Sequence, residues 1–445
     1  MTTLGVAPGR DRRSAIRSGF GAIASQARTH TTPMATISQS LQMLTYDQAR
    51  QSVIDEVSKK KGPRATAPVH IWDAVGYVLA QEIKAEREYP PFHRATRDGY
   101  AVRALDAHTG ATLKCAGEIK AGDDATTPLA RWTCVQIMTG AGVPPGADAV
   151  VMIEHTTRKG DNVNFDRTAT AGQNIVPKGS EAQRGQVVLA PGARIGHGEV
   201  ALAAQVGATE PLCAVKPRVA ILSTGDEVVL VEQKPSQFQI RNSNSVSLAA
   251  QTRAAGGEPV LLGNARDRAD ELRSKIERGL KEDILVMSGG VSAGKYDLVE
   301  SVLKSLGAEI FFDAVAIRPG KPAVFARCKD KFVFGLPGNP VSTMVTFELL
   351  VRPAIDLLNG AEARPLPLLR ATLASPLKEK SGLTHFLPAR IEWEGFEARV
   401  SAIEWRGSGD VAALAKSNCF LIIPADREEL PAGESVPVLL RKDIA

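Results

Sequence analysis

Apolar positions recur at helical spacing near residue 45, where folded sequence is expected to begin. Within "TYDQARQSVIDEV", the spacing predicts an amphipathic helix with apolar side chains at Ala49, Val53, Ile54 and Val57. Thr45 and Gln48 stand three residues apart, which is the spacing of a capping box, so the helix should begin directly after Thr45. A second, shorter helical pattern covers Trp72 to Leu79.

Residues 86 to 181 show short apolar segments separated by glycine and proline. In "CVQIMTGAGVPPGADAVVMIEHT" two apolar runs flank a "PPG" turn, which is typical of short strands. A helical pattern resumes in "GQVVLAPGARIGHGEVALAAQVG". We therefore expect a small β domain inserted into a split helical domain, whose halves are residues 43 to 85 and 182 to 216.

Residues 217 to 360 alternate between strands and helices. The strands are expected in "PRVAILSTGDEV", "EPVLLGNARD" and "DILVMSGG", with helices over 247 to 255, 269 to 280 and 298 to 306. Repeated β-α units predict a doubly wound parallel sheet whose ligand lies at the carboxyl ends of the strands. From residue 361 to 445 the pattern becomes that of a second β domain, so the fold class is multi-domain α/β plus β.

Four glycine-containing turns follow or interrupt the apolar runs of the α/β region. They are "STGDE", "SGGVSAGKYD", "RPGKP" and "GLPGNPVS". Each turn alone fits an ordinary solvent-facing loop equally well, but the fold would bring all four together. Glycine lets a ligand approach the main chain, and exposed N–H groups bind anions. We therefore predict a pocket for phosphate and a cation, with charge from Asp226, Glu227, Lys295, Asp297, Arg318 and Lys321.

Composition narrows the class of protein. The net charge of +5 over 445 residues is too small to indicate a nucleic-acid or membrane-surface protein. No apolar run reaches the ~18 residues that a membrane span requires. Five cysteines stand singly, which is typical of reduced thiols in a cytoplasmic protein. Residues 1 to 42 are rich in arginine and small residues and fit a disordered tail or sequence upstream of the native start, although a transit peptide has a similar composition.

The ordered motifs identify a family. "RDGYAV", "MTGAGVPPGADAVV", "LSTGDE", "SGGVSAGKYD", "RPGKPAVF" and "GLPGNPVS" resemble, in order and spacing, the molybdopterin molybdenumtransferases, a family that includes the E domain of gephyrin. The resemblance spans residues 43 to 440 or so. It implies a cytoplasmic homodimer that inserts molybdate into adenylyl-molybdopterin and releases AMP. It also implies a β-barrel-like C-terminal domain.

The resemblance also implies roles for individual residues. Asp98 and Thr139 in the inserted domain would be catalytic together with Lys321 and Asp297, with Asp98 reaching the active site of the partner subunit. Asp226, Glu227 and Asp297 would hold Mg²⁺. The substrate would be bound by Ser223, Thr224, Gly225, Ser288, Gly289, Gly290, Ser292, Lys295, Arg318, Gly338, Asn339, Pro340, Ser342, Arg390 and Ser408.

Other readings of the same residues remain open. Asp98 beside Gly99 also fits a simple turn, and Lys321 also fits a solvated turn lysine. The chain could instead be a molybdopterin adenylyltransferase, or a non-catalytic binding scaffold. As a transferase it could also contact the adenylyltransferase that makes its substrate. Asn242 in "IRNSN" and Ser180 in "KGSEA" stand where the family commonly has acidic residues.

Overall fold

The computed structural model describes residues 43–60, 65–290 and 297–441, without the side chain of Asp297. The predicted tail over residues 1 to 42, and the predicted site residues Ser292 and Lys295, lie outside the described part of the chain.

The first elements are α1 (Tyr46–Ser58), β1 (Thr66–Pro68) and β2 (Ile83–Lys84). The predicted capping box is present, because the Thr45 hydroxyl accepts from the Gln48 amide at 3.2 Å and Gln48 Oε1 accepts from the Thr45 amide at 3.0 Å. The helix predicted from Trp72 to Leu79 is wrong. That stretch forms a single 3₁₀ turn over Ile71–Asp73, and Gly76 with φ +88° interrupts any continuation.

The inserted β region supplies eight strands. They are β3 (Arg94–Ala95), β4 (Gly99–Val102), β5 (Thr112–Ile119), β6 (Thr133–Ile137), β7 (Ala149–Met152), β8 (Thr156–Lys159), β9 (Asn162–Phe165) and β10 (Ile175–Val176). Six of them form one sheet in the order β7-β4-β6-β5-β9-β8, and β3 pairs with β10. The prediction of an all-β region at this place is confirmed.

The chain then forms β11 (Val187–Leu189), α2 (His197–Gln205) and β12 (Leu212–Ala214). β11 pairs with β2 and β12 pairs with β1, so the strands that flank the inserted sheet join each other. This flanking region is less helical than its sequence pattern predicts. Its apolar residues 187 to 189 form strand β11 of a two-stranded sheet, and the helix begins only at His197.

The α/β region contains most of the helix. Its elements are β13 (Arg218–Thr224), β14 (Val228–Val229), β15 (Ile240–Arg241), α3 (Ser243–Ala255), β16 (Glu258–Ala265), α4 (Ala269–Gly279), β17 (Ile284–Ser288), α5 (Asp297–Ser305), β18 (Glu309–Ala314), β19 (Ile317–Arg318), β20 (Pro322–Cys328), β21 (Lys331–Leu336), α6 (Pro340–Thr346) and α7 (Arg352–Leu358). A π-helical turn over Phe347–Val351 joins α6 to α7.

The central sheet is mixed. Its order is β16-β13-β17-β21-β20-β18, in which the first four strands are parallel, as predicted, and the last two pair antiparallel. The change of direction occurs because β20 returns to β21 through a tight turn at Lys329 and Asp330, which have φ of +49° and +61°. Two successive residues with positive φ are typical of a two-residue hairpin.

Helix α1 packs on this α/β region. Its buried residues Ala49, Val53 and Val57 share one apolar cluster with Val219 of β13 and Ile355 of α7. The sequence pattern groups this helix with residues 182 to 216, but its apolar face packs on α7 and the π-helical turn of the α/β region instead. Burial of this stripe holds the start of the folded chain against the α/β region.

The C-terminal region is a closed barrel. Its elements are β22 (Leu368–Leu373), β23 (Leu377–Lys378), β24 (Thr384–Glu394), β25 (Glu397–Ala402), α8 (Val411–Lys416), β26 (Cys419–Ile423), β27 (Glu429–Leu430) and β28 (Ser435–Leu440). Five strands run in the order β24-β25-β22-β28-β26, and pairing of β24 with β26 closes the ring. The predicted barrel-like domain is confirmed. No helix within the described part of the chain combines the length and apolar character needed to cross a bilayer.

Candidate active site

A cavity of about 960 Å³ lies at the carboxyl ends of β13 and β17. The strand of the central sheet that follows β13 in the chain is β16, which lies beside β13 at one edge of that sheet. The strands of this sheet that follow β17 in the chain all lie on the opposite side of β17. The connections therefore diverge at these two adjacent strand ends. Such a divergence opens a crevice where ligands bind in α/β sheets.

Most of the residues predicted to bind substrate meet in this cavity. Its lining includes Ser223, Thr224, Gly225, Glu227, Ser288, Gly289, Gly290, Arg318, Lys321, Gly338, Asn339, Pro340, Ser342 and Ser408. They come from both sides of the central sheet and from the C-terminal region. The described residues of the four glycine-containing turns thus line one cavity.

The turn after β17 is held tightly against the end of β13. Gly289 and Gly290 have φ of +92° and +70°, and a Cβ added to Gly289 would lie 2.9 Å from both the carbonyl and the hydroxyl oxygen of Thr224. The amide of Gly289 donates to the Leu336 carbonyl at 3.1 Å. These glycines therefore serve close approach of the loops, and the Gly289 amide is committed to protein rather than to an anion.

One buried hydroxyl in the cavity wall has no partner. Thr224 is 7% exposed, and its Oγ1 makes no hydrogen bond within the described residues. A buried hydroxyl without a partner is destabilising unless a ligand or water satisfies it. It is accordingly well suited to contact a bound oxyanion.

Asn244 links two of the loops, and the sequence analysis did not single it out. Its Nδ2 donates to Ser288 Oγ at 2.7 Å and to the Gly338 carbonyl at 2.6 Å. Asn242 caps the same helix, since its Oδ1 accepts from the Ser245 amide and from the Ser223 hydroxyl, both at 3.0 Å. An amide at 242 therefore performs the capping that an aspartate would perform, without its negative charge.

The C-terminal region closes the cavity over the start of α6. Asn339 Nδ2 donates to Ser408 Oγ at 2.8 Å, and the Val341 amide donates to the Ser408 carbonyl at 3.0 Å. Pro340 occupies the first turn of α6. Trp405 also lines the cavity and was missed, because nothing in its local sequence distinguishes it from a core aromatic.

The cavity has a basic and an acidic side. Arg318 and Lys321 supply the basic side, Arg241 also lines the cavity, and Lys321 forms no ion pair within the described residues. On the acidic side Glu227 and Asp267 line the cavity, and the Asp267 amide donates to Asp226 Oδ1 at 3.3 Å. Burial, and then the charges of Asp226 and Glu227, raise the pKa of Asp267.

Asp267 was missed by the sequence analysis, although it carries the same signal as the residues that were found. It follows the strand β16 within two residues, at the carboxyl end of the sheet. Asp226 does not line the cavity, although it lies beside Asp267.

Asp98 and Thr139 lie together in the inserted sheet region and do not line the cavity. The amide and hydroxyl of Thr139 both donate to Asp98 Oδ1, at 2.6 and 2.7 Å. These hydrogen bonds, the backbone bond first, lower the pKa of Asp98. The structure thus holds an exposed, ionised carboxylate at a defined position, with its second oxygen available.

Other predicted residues are placed elsewhere. Arg390 lies on β24, pairs with Glu392 at 3.1 Å and does not line the cavity. Ser180 donates its hydroxyl to the Pro177 carbonyl at 2.7 Å, and Glu181 pairs with Arg94 at 2.8 Å, so both serve the base of the inserted sheet. Ser292, Lys295 and the side chain of Asp297 lie outside the described residues.

Comparison with known proteins finds family models that match three segments of the chain. Residues 44–207 match the MoeA N-terminal region (domain I and II), residues 220–357 a probable molybdopterin binding domain, and residues 370–440 the MoeA C-terminal region (domain IV).

Similarity to individual proteins extends over most of the chain. It is 34% identical to a molybdopterin molybdenumtransferase of Bacillus subtilis strain 168 over 84% of this chain and 90% of the relative. It is 33% identical to that of Haemophilus influenzae over 89% of this chain and 98% of the relative. The crystal structure of a molybdopterin biosynthesis moeA protein from Pyrococcus horikoshii OT3 aligns with a TM-score of 0.75 at 30% identity, covering 90% of this chain and all of that one.

Proposed function

Because the chain belongs to the molybdopterin molybdenumtransferase family, we propose that it inserts molybdenum from molybdate into adenylyl-molybdopterin and releases AMP. The observation that carries this proposal is the cavity at the ends of β13 and β17. There a buried hydroxyl with no partner among the described residues, three basic side chains and neighbouring carboxylates line one space. Molybdate and the pyrophosphate of the substrate are both oxyanions, and such groups require this mixture of donors and charges.

The anionic groups would bind on the basic side. Arg318 can donate two parallel hydrogen bonds to an oxyanion, whereas Lys321 supplies a compact charge with freely rotating donors. The hydroxyl of Thr224, which has no partner among the described residues, would add a neutral donor at the strand end. These groups would hold the substrate phosphate and the molybdate side by side, which lowers the entropic barrier to their reaction.

The proposal includes a bound Mg²⁺, for which the carboxylates on the acidic side of the cavity are suitable ligands. Burial, and then the like charges of Asp226 and Glu227, raise the pKa of Asp267, and a cation would relieve the repulsion between these charges. Within the described residues no three acidic, histidine or cysteine side chains are spaced to enclose a metal. Mg²⁺ commonly binds through one or two carboxylates plus phosphate oxygens and water, which suits Glu227 and Asp267, with Asp226 beside Asp267. When bound, the ion would neutralise charge on the pyrophosphate.

We further propose that the active form is a homodimer in which Asp98 serves the partner's cavity. Support comes from geometry: Asp98 is exposed and held in one orientation by Thr139, but it lines no part of its own chain's cavity. A two-fold axis would repeat any such contact at both sites. Five buried, unpaired cysteines support a cytoplasmic location.

The two alternative functions receive less support. An adenylyltransferase would need only the α/β region, whereas here the C-terminal region contributes Ser408 to the cavity through its contact with Asn339. A scaffold would not need a buried hydroxyl that lacks a partner among the described residues at the wall of a cavity. The adenylylated substrate would come from a molybdopterin adenylyltransferase, so transient contact with that enzyme is part of the same proposal.

The test is a measurement of AMP release from adenylyl-molybdopterin with and without molybdate and Mg²⁺. The proposal expects AMP release that depends on molybdate. Consumption of ATP with accumulation of the adenylylated compound would identify an adenylyltransferase instead. Absence of any turnover, together with unaltered adenylyl-molybdopterin, would refute the catalytic proposal.

A further inference from the structure

A carboxylate of the C-terminal region stands behind the basic side of the cavity. Glu379 follows β23 directly, and its Oε2 lies 3.4 Å from Nη1 of Arg318. Arg318 lines the cavity, whereas Glu379 does not. The side chain of Glu379 is 23% exposed and that of Arg318 is 52% exposed, so the pair lies at the boundary between protein and cavity.

The main chain couples the same two regions. Strand β19 pairs in parallel with β24, which places Arg318 opposite His385 in the ladder. The Thr384 amide donates to the Ala316 carbonyl at 3.0 Å. The "RPGKP" loop is therefore carried at one end by the C-terminal barrel, and the position of the Arg318 backbone depends on that barrel.

His385 lies on the far side of Glu379. Its side chain is 2% exposed, and Nδ1 lies 3.2 Å from the same Oε2 that faces Arg318. The separation is that of an ion pair, but the ring nitrogen forms no directed hydrogen bond within the described residues. Burial is the first cause that lowers the pKa of His385, and the charge of Arg318 lowers it further, against an opposing effect of Glu379. The ring is therefore neutral near pH 7, and it leaves the negative charge of Glu379 to Arg318.

Together these contacts place the carboxylate of Glu379 against the half-exposed guanidinium of Arg318. A half-exposed arginine has many rotamers, and holding it in one of them costs conformational entropy when a ligand binds. A carboxylate that already constrains the guanidinium reduces that cost, because the binding group is oriented before the ligand arrives. His385 packs behind the Glu379 carboxylate and limits the movement of that carboxylate.

We propose that Glu379 is a positioning residue that orients the guanidinium of Arg318 for the oxyanion bound in the cavity, and that the C-terminal barrel acts on substrate binding through this pair. The inference rests on the proposed function only in assigning molybdate as the oxyanion. Glu379 itself touches neither substrate nor the reacting atoms.

The test uses two substitutions in the full chain. Glu379→Ala removes the carboxylate, whereas Glu379→Gln keeps an oxygen that can accept from Arg318. We expect Glu379→Ala to raise the KM for molybdate about three- to fivefold with kcat within about twofold, the scale of a partly exposed ion pair. Glu379→Gln should recover most of the affinity. Glu429→Ala is the matched control, because Glu429 pairs with Lys378, the residue directly before Glu379, and does not line the cavity.

A double-mutant cycle separates positioning from other effects. If Glu379 acts through Arg318, Glu379→Ala should change nothing further in an Arg318→Ala background. Additive losses, or no change in KM in the single variant, would overturn the proposal. Tighter molybdate binding in both Glu379 variants would also overturn it, because the carboxylate would then act only as an opposing charge.

Direct titration with molybdate by calorimetry keeps the inference distinct from the proposed function. A wild-type protein that binds molybdate without releasing AMP would refute the catalytic proposal, and the order of affinities among the variants would still decide the role of Glu379. Failure of the wild type to bind molybdate would overturn both. Thermal unfolding of each variant identifies any loss caused by misfolding, and Glu379→Gln, which preserves shape, then carries the decision.

Discussion

The close contact between Gly289 and Thr224 makes a sharp prediction about the strand ends that form the cavity. In Gly289→Ala the new Cβ would lie 2.9 Å from two oxygens of Thr224. Ordinary contacts of a Cβ begin near 3.4 Å, so the two strand ends must separate by about 0.5 Å. The substitution therefore moves the crevice itself, without changing any charged group.

Two separate costs follow from this geometry. Alanine at φ +92° adds backbone strain of about 1–2 kcal/mol, which lowers the melting temperature by a few degrees. The displacement of the loops adds a catalytic cost. A misplacement of 1 Å can reduce turnover about a hundredfold, so we expect roughly a tenfold loss for half that shift.

Gly263→Ala is the control that isolates the second cost. Gly263 lies within β16 with φ +77°, and an added Cβ meets no atom within 4 Å. It does not line the cavity. Both variants should lose a similar amount of stability in thermal unfolding, but only Gly289→Ala should lose AMP release at saturating molybdate.

Wild-type activity of Gly289→Ala would refute the reasoning, because the spacing of the strand ends would then have no bearing on catalysis. The same conclusion would follow if Gly263→Ala lost as much activity as Gly289→Ala. In that case the loss would arise from stability alone.

Four further outcomes are expected. Lys321→Ala should weaken molybdate binding by about 1–3 kcal/mol, the scale of hydrogen bonds to charged groups, and unchanged kinetics at subsaturating molybdate would make it a solvated turn lysine. Asp98→Asn and Asp297→Asn should each abolish turnover, but their mixed dimers should recover about a quarter of wild-type activity if Asp98 serves the partner's cavity; no recovery despite verified heterodimers would exclude that role. Thr139→Ala removes a hydroxyl that lowers the pKa of Asp98, so the acid limb of the pH profile for AMP release should move to higher pH, and an unmoved limb would detach Asp98 from it. Asp356→Ala should reduce the free energy of unfolding by about 3–5 kcal/mol, since Arg194 and Arg364 lose the buried carboxylate that they share; a loss below 1 kcal/mol in urea denaturation would contradict this estimate.

Local patterns were sufficient wherever neighbouring residues decide the structure. The Thr45 and Gln48 capping box predicted the start of α1, because a cap is formed by residues three apart. The glycine turns after β13 and β17 were found for a similar reason. Apolar runs that end in small polar residues mark strand ends, and the parallel connection brings those ends to one edge.

Other features depend on contacts that no local pattern contains. Gly76 was a local sign that the helical spacing from Trp72 is interrupted, but the partners of this segment are distant: Val78 and Leu79 form β-bridges with Arg194 and Cys213, more than 100 positions later. The apolar stripe of α1 predicts burial, but only the assembled core shows that it packs on α7 of the α/β region rather than on the flanking region.

The site divides in the same way. Sequence by itself determined which side chains could bind an oxyanion, because the chemistry of Arg318, Lys321 and the glycine turns is present in the residues. Only the tertiary structure decided what surrounds them. Asn244 bridges Ser288 and Gly338, and Glu379 reaches Arg318 across 61 positions of chain. Hydrogen bonds and ion pairs act over a few ångströms, so partners so distant in sequence are defined only after packing has brought their strands and loops together.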